Sequence, residues 1–213
     1  MATKGIIFDL DGVLVFTDRY HYLAWKEMAD GIGVYFDEII NNRLRGVSRM
    51  ASLEIILERY EGAPLSDEDK AKLAEKKNGL YVEYLKEMTP ADVTDEVRDT
   101  LRELRKRGYK LAIGSSSKNA KFILGRVDLT SYFDAISDGT NIVRSKPDPE
   151  VFIKASEFLG LEPGECAVIE DAFAGIDAAK DGGMTGVAIG DAVKYERADY
   201  RLNTFSDLLG IFR

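Results

Sequence analysis

Four short stretches carry the residues that could do chemistry: Asp9-Leu10-Asp11-Gly12, Ser115-Ser116-Ser117-Lys118, Ser145-Lys146-Pro147-Asp148-Pro149 and Glu170-Asp171. Brought together they supply four carboxylates, a hydroxyl and an ammonium, the composition of a metal-assisted phosphate site. Phosphoryl transfer needs a nucleophile in line, neutralisation of charge on the phosphoryl oxygens and a group to move a proton. A carboxylate is a competent nucleophile toward phosphorus, and Asp9 is the candidate. Its charge repels phosphate, so a cation must sit between them. Mg²⁺ suits, since it is content with one or two carboxylates, waters and a phosphate oxygen. Asp9 would use one oxygen for attack and the other for the metal, and Glu170 and Asp171 would complete the metal site. Asp11, two residues on along an extended chain, lies on the same side and is placed to act as general acid and base. Gly12 permits a sharp turn and close ligand approach. Lys146 is a point charge for the phosphoryl oxygens and for Asp9, and Ser115 a hydrogen-bond donor to the same oxygens.

Each residue has an ordinary alternative. Asp9 and Asp11 could be turn carboxylates, Glu170-Asp171 a helix N-terminus and Lys146 a solvated loop lysine. The charge runs Glu68-Asp69-Lys70 and Arg102–Arg107 read as solvated helix faces. What favours the chemical reading is convergence, and that depends on the elements that hold these stretches.

Gly5–Leu10 reads as a short buried strand broken by Gly12. Helical periodicity follows over Asp18–Asp30 and over Ser48–Tyr60, with Ser48 a plausible N-cap. A third helix is predicted from Ser66, with Asp69 completing a capping box, to about Met88 before Pro90. Strands and helices then alternate: a helix over Val93–Arg107, a strand over Tyr109–Ser115, a helix over Asn119–Val127, a strand over Phe133–Ser137 and a helix over Pro149–Leu159. A strand over Cys166–Ile169, a helix over Ala172–Asp181, strands over Thr185–Ile189 and Asp199–Leu202 and a small terminal helix complete the chain. This order predicts an α/β fold with a parallel, Rossmann-like sheet core, interrupted after its first strand by an all-helical block. The expected domains are a core of residues 1–16 and 89–213 and a helical insert of 17–88. In such sheets ligands bind at the carboxyl ends of strands, which is where all four stretches fall.

The stretches FDLDGVL, SSSKN, SKPDPEVF and IEDAFAGIDAAK, in that order, resemble the four motifs of the haloacid dehalogenase-like superfamily. The helical insert matches the position and size of that family's α-helical cap. Within the superfamily the insert is similar to the β-phosphoglucomutase family, through Tyr20-His21-x-x-Ala24-Trp25, Leu44-Arg45-Gly46-Val47-Ser48-Arg49-x-x-Ser52-Leu53 and Lys76-Lys77-Asn78. The later stretches TPADV, SSKNA and YFDAI extend the similarity. The resemblance implies conversion of β-D-glucose 1-phosphate to glucose 6-phosphate through β-glucose 1,6-bisphosphate, with phospho-Asp9 as donor and Mg²⁺ as cofactor. It implies that Asp11 also offers the metal its backbone carbonyl. Arg49 would grip the distal phosphate, joined by Ser117 and Lys118 or Asn119. His21 and the loop Arg45-Gly46-Val47-Ser48 would close over the sugar, and Thr17 would sit in the hinge. Trp25 and Ser116 are substrate-side candidates whose plainer roles are cap core and loop shape. Two departures stand out: Val15-Phe16-Thr17 where the family commonly has Thr-Asp-Thr, and Arg45-Gly46 where it has Lys-Gly.

Two other functions remain open on sequence: a cap-bearing phosphatase that uses water as acceptor, and a non-catalytic sugar-phosphate binder. A net charge of −8 argues against nucleic acid as partner. The lone cysteine, Cys166, permits no intramolecular disulfide and reads as a buried structural thiol in a reducing compartment. No secretory leader and no apolar run of membrane-spanning length is visible. A cytoplasmic monomer acting on a small sugar phosphate, with no membrane partner, is expected.

Overall fold

The computed structural model describes residues 2–44 and 48–213. They form two compact units, one of Met1–Phe16 with Met88–Arg213 and one of Thr17–Glu87. In the first, strands β1 (Gly5–Phe8), β2 (Lys110–Gly114), β3 (Ala135–Ser137), β4 (Cys166–Glu170), β5 (Thr185–Ala188) and β6 (Tyr200–Arg201) make one parallel sheet in the order β3-β2-β1-β4-β5-β6. The four residues of β1 and the five of β4 are all buried, the mark of strands covered on both faces. Successive side chains point to opposite faces. Ile7 packs with Val151, Phe152, Ala155 and Leu159 on one side. Its neighbour Phe8 meets the rings of Phe133 and Phe205 on the other, at 6.1 and 5.8 Å between centroids.

The second unit holds α1 (Asp18–Asp30), α2 (Glu38–Asn42), α3 (Arg49–Leu57) and α4 (Asp67–Leu85). Its core gathers Trp25, Met28, Phe36, Ile40, Leu53 and Ile56 among others. Ser48 caps α3 by accepting from Ala51 N at 3.3 Å, and Ser66 and Asp69 form a reciprocal capping box on α4. The sheet unit carries α5 (Asp95–Lys106), α6 (Ala120–Arg126), α7 (Glu150–Leu159), α8 (Phe173–Asp181) and α9 (Leu208–Ile211). Thr94 caps α5, which has acidic residues in its first turn and Arg105 and Lys106 in its last, complementing the helix dipole.

Several boundaries differ from the sequence-based expectation. The short α2, capped by Asp37 accepting from Ile40 N at 2.9 Å, was not anticipated, because five residues are too few to show a period. The helix expected to reach Met88 stops at Leu85. The last strand shrinks to Tyr200–Arg201, both exposed at the sheet edge. Among the described residues no helix is long and apolar enough to cross a membrane.

Candidate functional site

The sheet order reverses direction at β1, so the crevice beyond its carboxyl end is the natural ligand position in an open α/β sheet. Register sets what meets there. Phe8 is opposite Ile169, so Asp9 leaves β1 beside Glu170, the last residue of β4. Asp9 N donates to Ile169 O at 3.0 Å, anchoring the strand end. Asp9, Glu170 and Asp171 each present a carboxylate oxygen within 4.8 Å of the others. Lys146, from the loop before α7, reaches into this group. Its Nζ donates to Asp9 Oδ1 at 2.5 Å and also to Glu170 Oε1. Phe152 lies under the same ammonium, 4.6 Å from ring centroid to Nζ.

Two glycines make room for these carboxylates. Gly12 has φ +88°, a conformation that disfavours side chains, and a Cβ there would collide with the Asp171 carboxylate. A Cβ on Gly175, in the first turn of α8, would occupy the space of the Glu170 carboxylate. Gly12 was singled out from sequence. Gly175 was not, although it lies within the IEDAFAGIDAAK stretch.

The electrostatics follow from crowding three anions around one cation out of water. Burial, and then the Asp9 charge, push Asp171 up to about 6. Burial likewise raises Glu170 well above the usual carboxylate range, opposed by Lys146 and reinforced by Asp9. Burial alone would pull the Lys146 ammonium down, but the Asp9 and Glu170 charges overcome it and hold it above its ordinary value. The donor set is hard, oxygen-only and short of positive charge, which fits a divalent cation such as Mg²⁺. Asp11 adds no carboxylate oxygen to the group of three, so any metal contact from it falls to its backbone carbonyl. Its charge still reaches Asp171.

Ser115 is buried at the end of β2, and its Oγ accepts from Ser117 N at 3.2 Å. Its own proton is left to donate. Ser117 Oγ accepts from Asn119 N at 3.2 Å, winding the loop into α6. Lys118 is exposed, whereas the Ser116 hydroxyl is buried with no hydrogen-bond partner.

Within the helical unit, Lys77 Nζ lies 2.8 Å from His21 Nδ1. With Lys77 donating as an ammonium, Nδ1 accepts, which leaves the proton of a neutral His21 on Nε2. Burial, Lys77 and Arg49 all hold His21 well below its ordinary pKa. The His21 ring stacks on Tyr81 at 4.0 Å, and the Tyr81 hydroxyl donates to Thr17 Oγ1 at 3.1 Å. Arg49 donates to Asn78 Oδ1 at 2.9 Å. Trp25 is packed in the core of this unit, with the Lys77 ammonium 4.8 Å over its ring. Arg45, Gly46 and Val47 lie outside the described residues, and Ser48 serves α3 as its cap. Lys77, Asn78 and Tyr81 were absent from the sequence-derived site. The signal was there: Ala74, Lys77, Tyr81 and Leu85 are the buried face of α4, and a lysine on such a face needs a reason.

Residues 3–183 match the haloacid dehalogenase-like hydrolase family. The chain belongs to that family. Among haloacid dehalogenase-like relatives, the β-phosphoglucomutase of Bacillus subtilis (strain 168) is 41% identical over 207 residues, covering 96% of this chain and 91% of that protein. A phosphorylated carbohydrates phosphatase of Thermotoga maritima is 31% identical over 183 residues, covering 85% and 82%. The crystal structure of a β-phosphoglucomutase from Clostridium difficile superposes with a TM-score of 0.86 at 35% identity, covering 97% of this chain and 93% of that one. These likenesses span the sheet unit and the helical unit alike.

Proposed function

We propose that this protein is a Mg²⁺-dependent phosphoglucomutase that interconverts β-D-glucose 1-phosphate and glucose 6-phosphate. The reaction runs through β-glucose 1,6-bisphosphate and a phosphorylated Asp9. The observation that carries the proposal is the presence of two groups of opposite character. The sheet unit gathers Asp9, Glu170, Asp171 and Lys146. The helical unit gathers Lys77, Arg49, Asn78 and a neutral His21. A bisphosphate needs recognition at both ends, and the second group offers cations for the phosphate that is not reacting.

Asp9, Glu170 and Asp171 would hold the Mg²⁺, which when bound supplies neutralisation of charge on the phosphoryl oxygens. The Asp9 carboxylate attacks phosphorus, and Asp11 protonates the departing oxygen. When the sugar's free hydroxyl attacks phospho-Asp9, Asp11 takes its proton and the bisphosphate forms. Transfer of the other phosphate back to Asp9 releases product. Lys146 and the Ser115 hydroxyl hold the transferring group throughout, and Ser117, Lys118 and Asn119 steady the sugar phosphate. The name of the Bacillus subtilis relative supports this reading. That of the Thermotoga maritima relative supports the second one, a sugar-phosphate phosphatase in which water attacks phospho-Asp9.

One assay separates the two. The protein is incubated with Mg²⁺, β-glucose 1-phosphate and a trace of the bisphosphate, and glucose 6-phosphate and free phosphate are followed together. Glucose 6-phosphate in large excess over free phosphate is the mutase outcome; free phosphate with no glucose 6-phosphate is the phosphatase.

A further inference from the structure

The loop Ser115–Asn119 does not stand alone. The turn that follows β3 braces it from behind. Ser115 N donates to Ser137 O at 3.1 Å, and Gly139 N donates to Ser117 O at 3.1 Å. The approach is so close that a Cβ on Gly139 would collide with Ser116 O and lie 2.9 Å from Lys118 N. Both are backbone atoms, so no rotamer change could clear them.

The brace is itself stiff. Asp138 is wholly buried. Its Oδ1 accepts from Thr140 N at 2.9 Å and from the Thr140 hydroxyl. Asp138 N donates to Asn141 Oδ1 at 2.7 Å, and Asn141 Nδ2 donates to Ser137 Oγ at 3.1 Å. The Lys154 ammonium donates to Asn141 O. The second carboxylate oxygen of Asp138 has no hydrogen bond and faces Lys121 Nζ at 3.5 Å. Lys121 is in the first turn of α6, immediately beyond the loop. Asp138 therefore tethers the far end of the loop while Gly139 touches its middle.

We propose that Asp138 and Gly139 are positioning residues that set the depth of the Ser115–Asn119 loop and, through it, the affinity for the sugar-phosphate body. The proposal rests on the mutase reading in one respect, that Ser117, Lys118 and Asn119 face the substrate. Adding a methyl group at 139 must displace loop backbone by a large fraction of an ångström, and misplacements of about 1 Å cost up to ~10²-fold in rate. Asp9, Lys146 and Glu170 come from other segments, and Ser115, held by its own bond to Ser137 O, precedes the Ser116–Lys118 backbone that Gly139 meets, so transfer from a small donor should be spared.

The test is Gly139→Ala, with Asp138→Asn as the conservative companion that keeps an Oδ1 acceptor and removes only the charge facing Lys121. The expected result for Gly139→Ala is a KM for β-glucose 1-phosphate raised by about tenfold or more, with kcat and acetyl phosphate hydrolysis within about threefold. Amide resonances of Ser116, Ser117 and Lys118 should move in the substrate-free protein. Asp138→Asn should show the same pattern, smaller. Unmoved loop amides, or equal losses on both substrates, would overturn the proposal. If the wild-type protein fails on glucose phosphates, the mutase reading alone falls. The loop amides, and the KM for whichever phosphate ester it does turn over, then decide the brace.

Discussion

The two candidate groups solve opposite electrostatic problems with opposite architecture. In the sheet unit, three carboxylates meet a single ammonium at the ends of strands, and the four residues come from three separate stretches of the chain. In the helical unit, Lys77 and Arg49 meet a neutral imidazole and an amide. Among the described residues Glu75, exposed, lies 3.9 Å from Arg49. The first group is short of positive charge and invites a cation. The second sets two cationic side chains beside an imidazole and an amide. Holding groups of opposite character on separate frameworks lets each local field be set without cancelling the other.

The largest expected effect breaks the comparison from the carboxylate side. Asp9→Asn should lower turnover by more than about 10⁴-fold, since an amide is no nucleophile toward phosphorus. Isotope-labelled donor would show whether any phosphoenzyme forms in the variant; its appearance would remove Asp9 from that role. Stripping divalent cations with a chelator should silence the wild type nearly as completely, with recovery on adding Mg²⁺. Full activity after exhaustive chelation would show that three crowded carboxylates work without a metal. Asp11→Asn should cost about 10²–10⁴-fold in kcat while leaving substrate affinity largely intact. A loss below tenfold would make Asp11 structural.

The cationic side predicts smaller and more selective effects. Arg49→Ala removes charged hydrogen bonds, typically about 1.5–3 kcal/mol each. That corresponds to roughly 10–100-fold in kcat/KM for glucose 1-phosphate. Acetyl phosphate, which has no second phosphate, should be hydrolysed almost unchanged, and equal losses on both would deny Arg49 a distal-phosphate role. The smallest effect is a pH dependence. His21 has a folded pKa below its unfolded value near 6.5, so the unfolded chain binds more protons below that pH. Its contribution to stability is therefore present above about pH 6.5 and lost as pH falls toward the lowered folded value. Lys77→Met should raise the His21 pKa and weaken that dependence. His21 is the chain's sole histidine, so its ring resonances can be followed without ambiguity. No upward shift in the variant would mean that burial and Arg49, not Lys77, set the imidazole.

The same contrast explains what could be read from sequence. The carboxylate group sits at strand ends, and each strand is announced by a run such as Gly-Ile-Ile-Phe or Cys-Ala-Val-Ile that stops at its candidate residue. Asp9, Lys146, Glu170 and Asp171 were all visible because α/β topology sends strand ends to one edge. The cationic group sits on helix faces, where position along the chain says little about which neighbour a side chain will meet. Lys77 entered only within the Lys76-Lys77-Asn78 stretch of the cap resemblance, and nothing along the chain says that it is buried and touches His21, 56 residues earlier. The role of Gly139 was invisible for a different reason: its φ is ordinary, and only the approach of Ser116 O and Lys118 N from another segment makes the absent side chain necessary.

The order of the strands also bears on how the chain is made. β1, which ends at the candidate nucleophile, pairs with no near neighbour in sequence; Gly5 finds its partners at Lys110 and Cys166. During synthesis the first strand must wait, unpaired, while the whole of Thr17–Glu87 emerges, and that segment has a core of its own, so it can fold first. Asp9 meets Glu170 and Asp171 only after about four-fifths of the chain has left the ribosome. A nascent or truncated chain thus carries the apolar first strand without the two strands that flank it in the folded sheet.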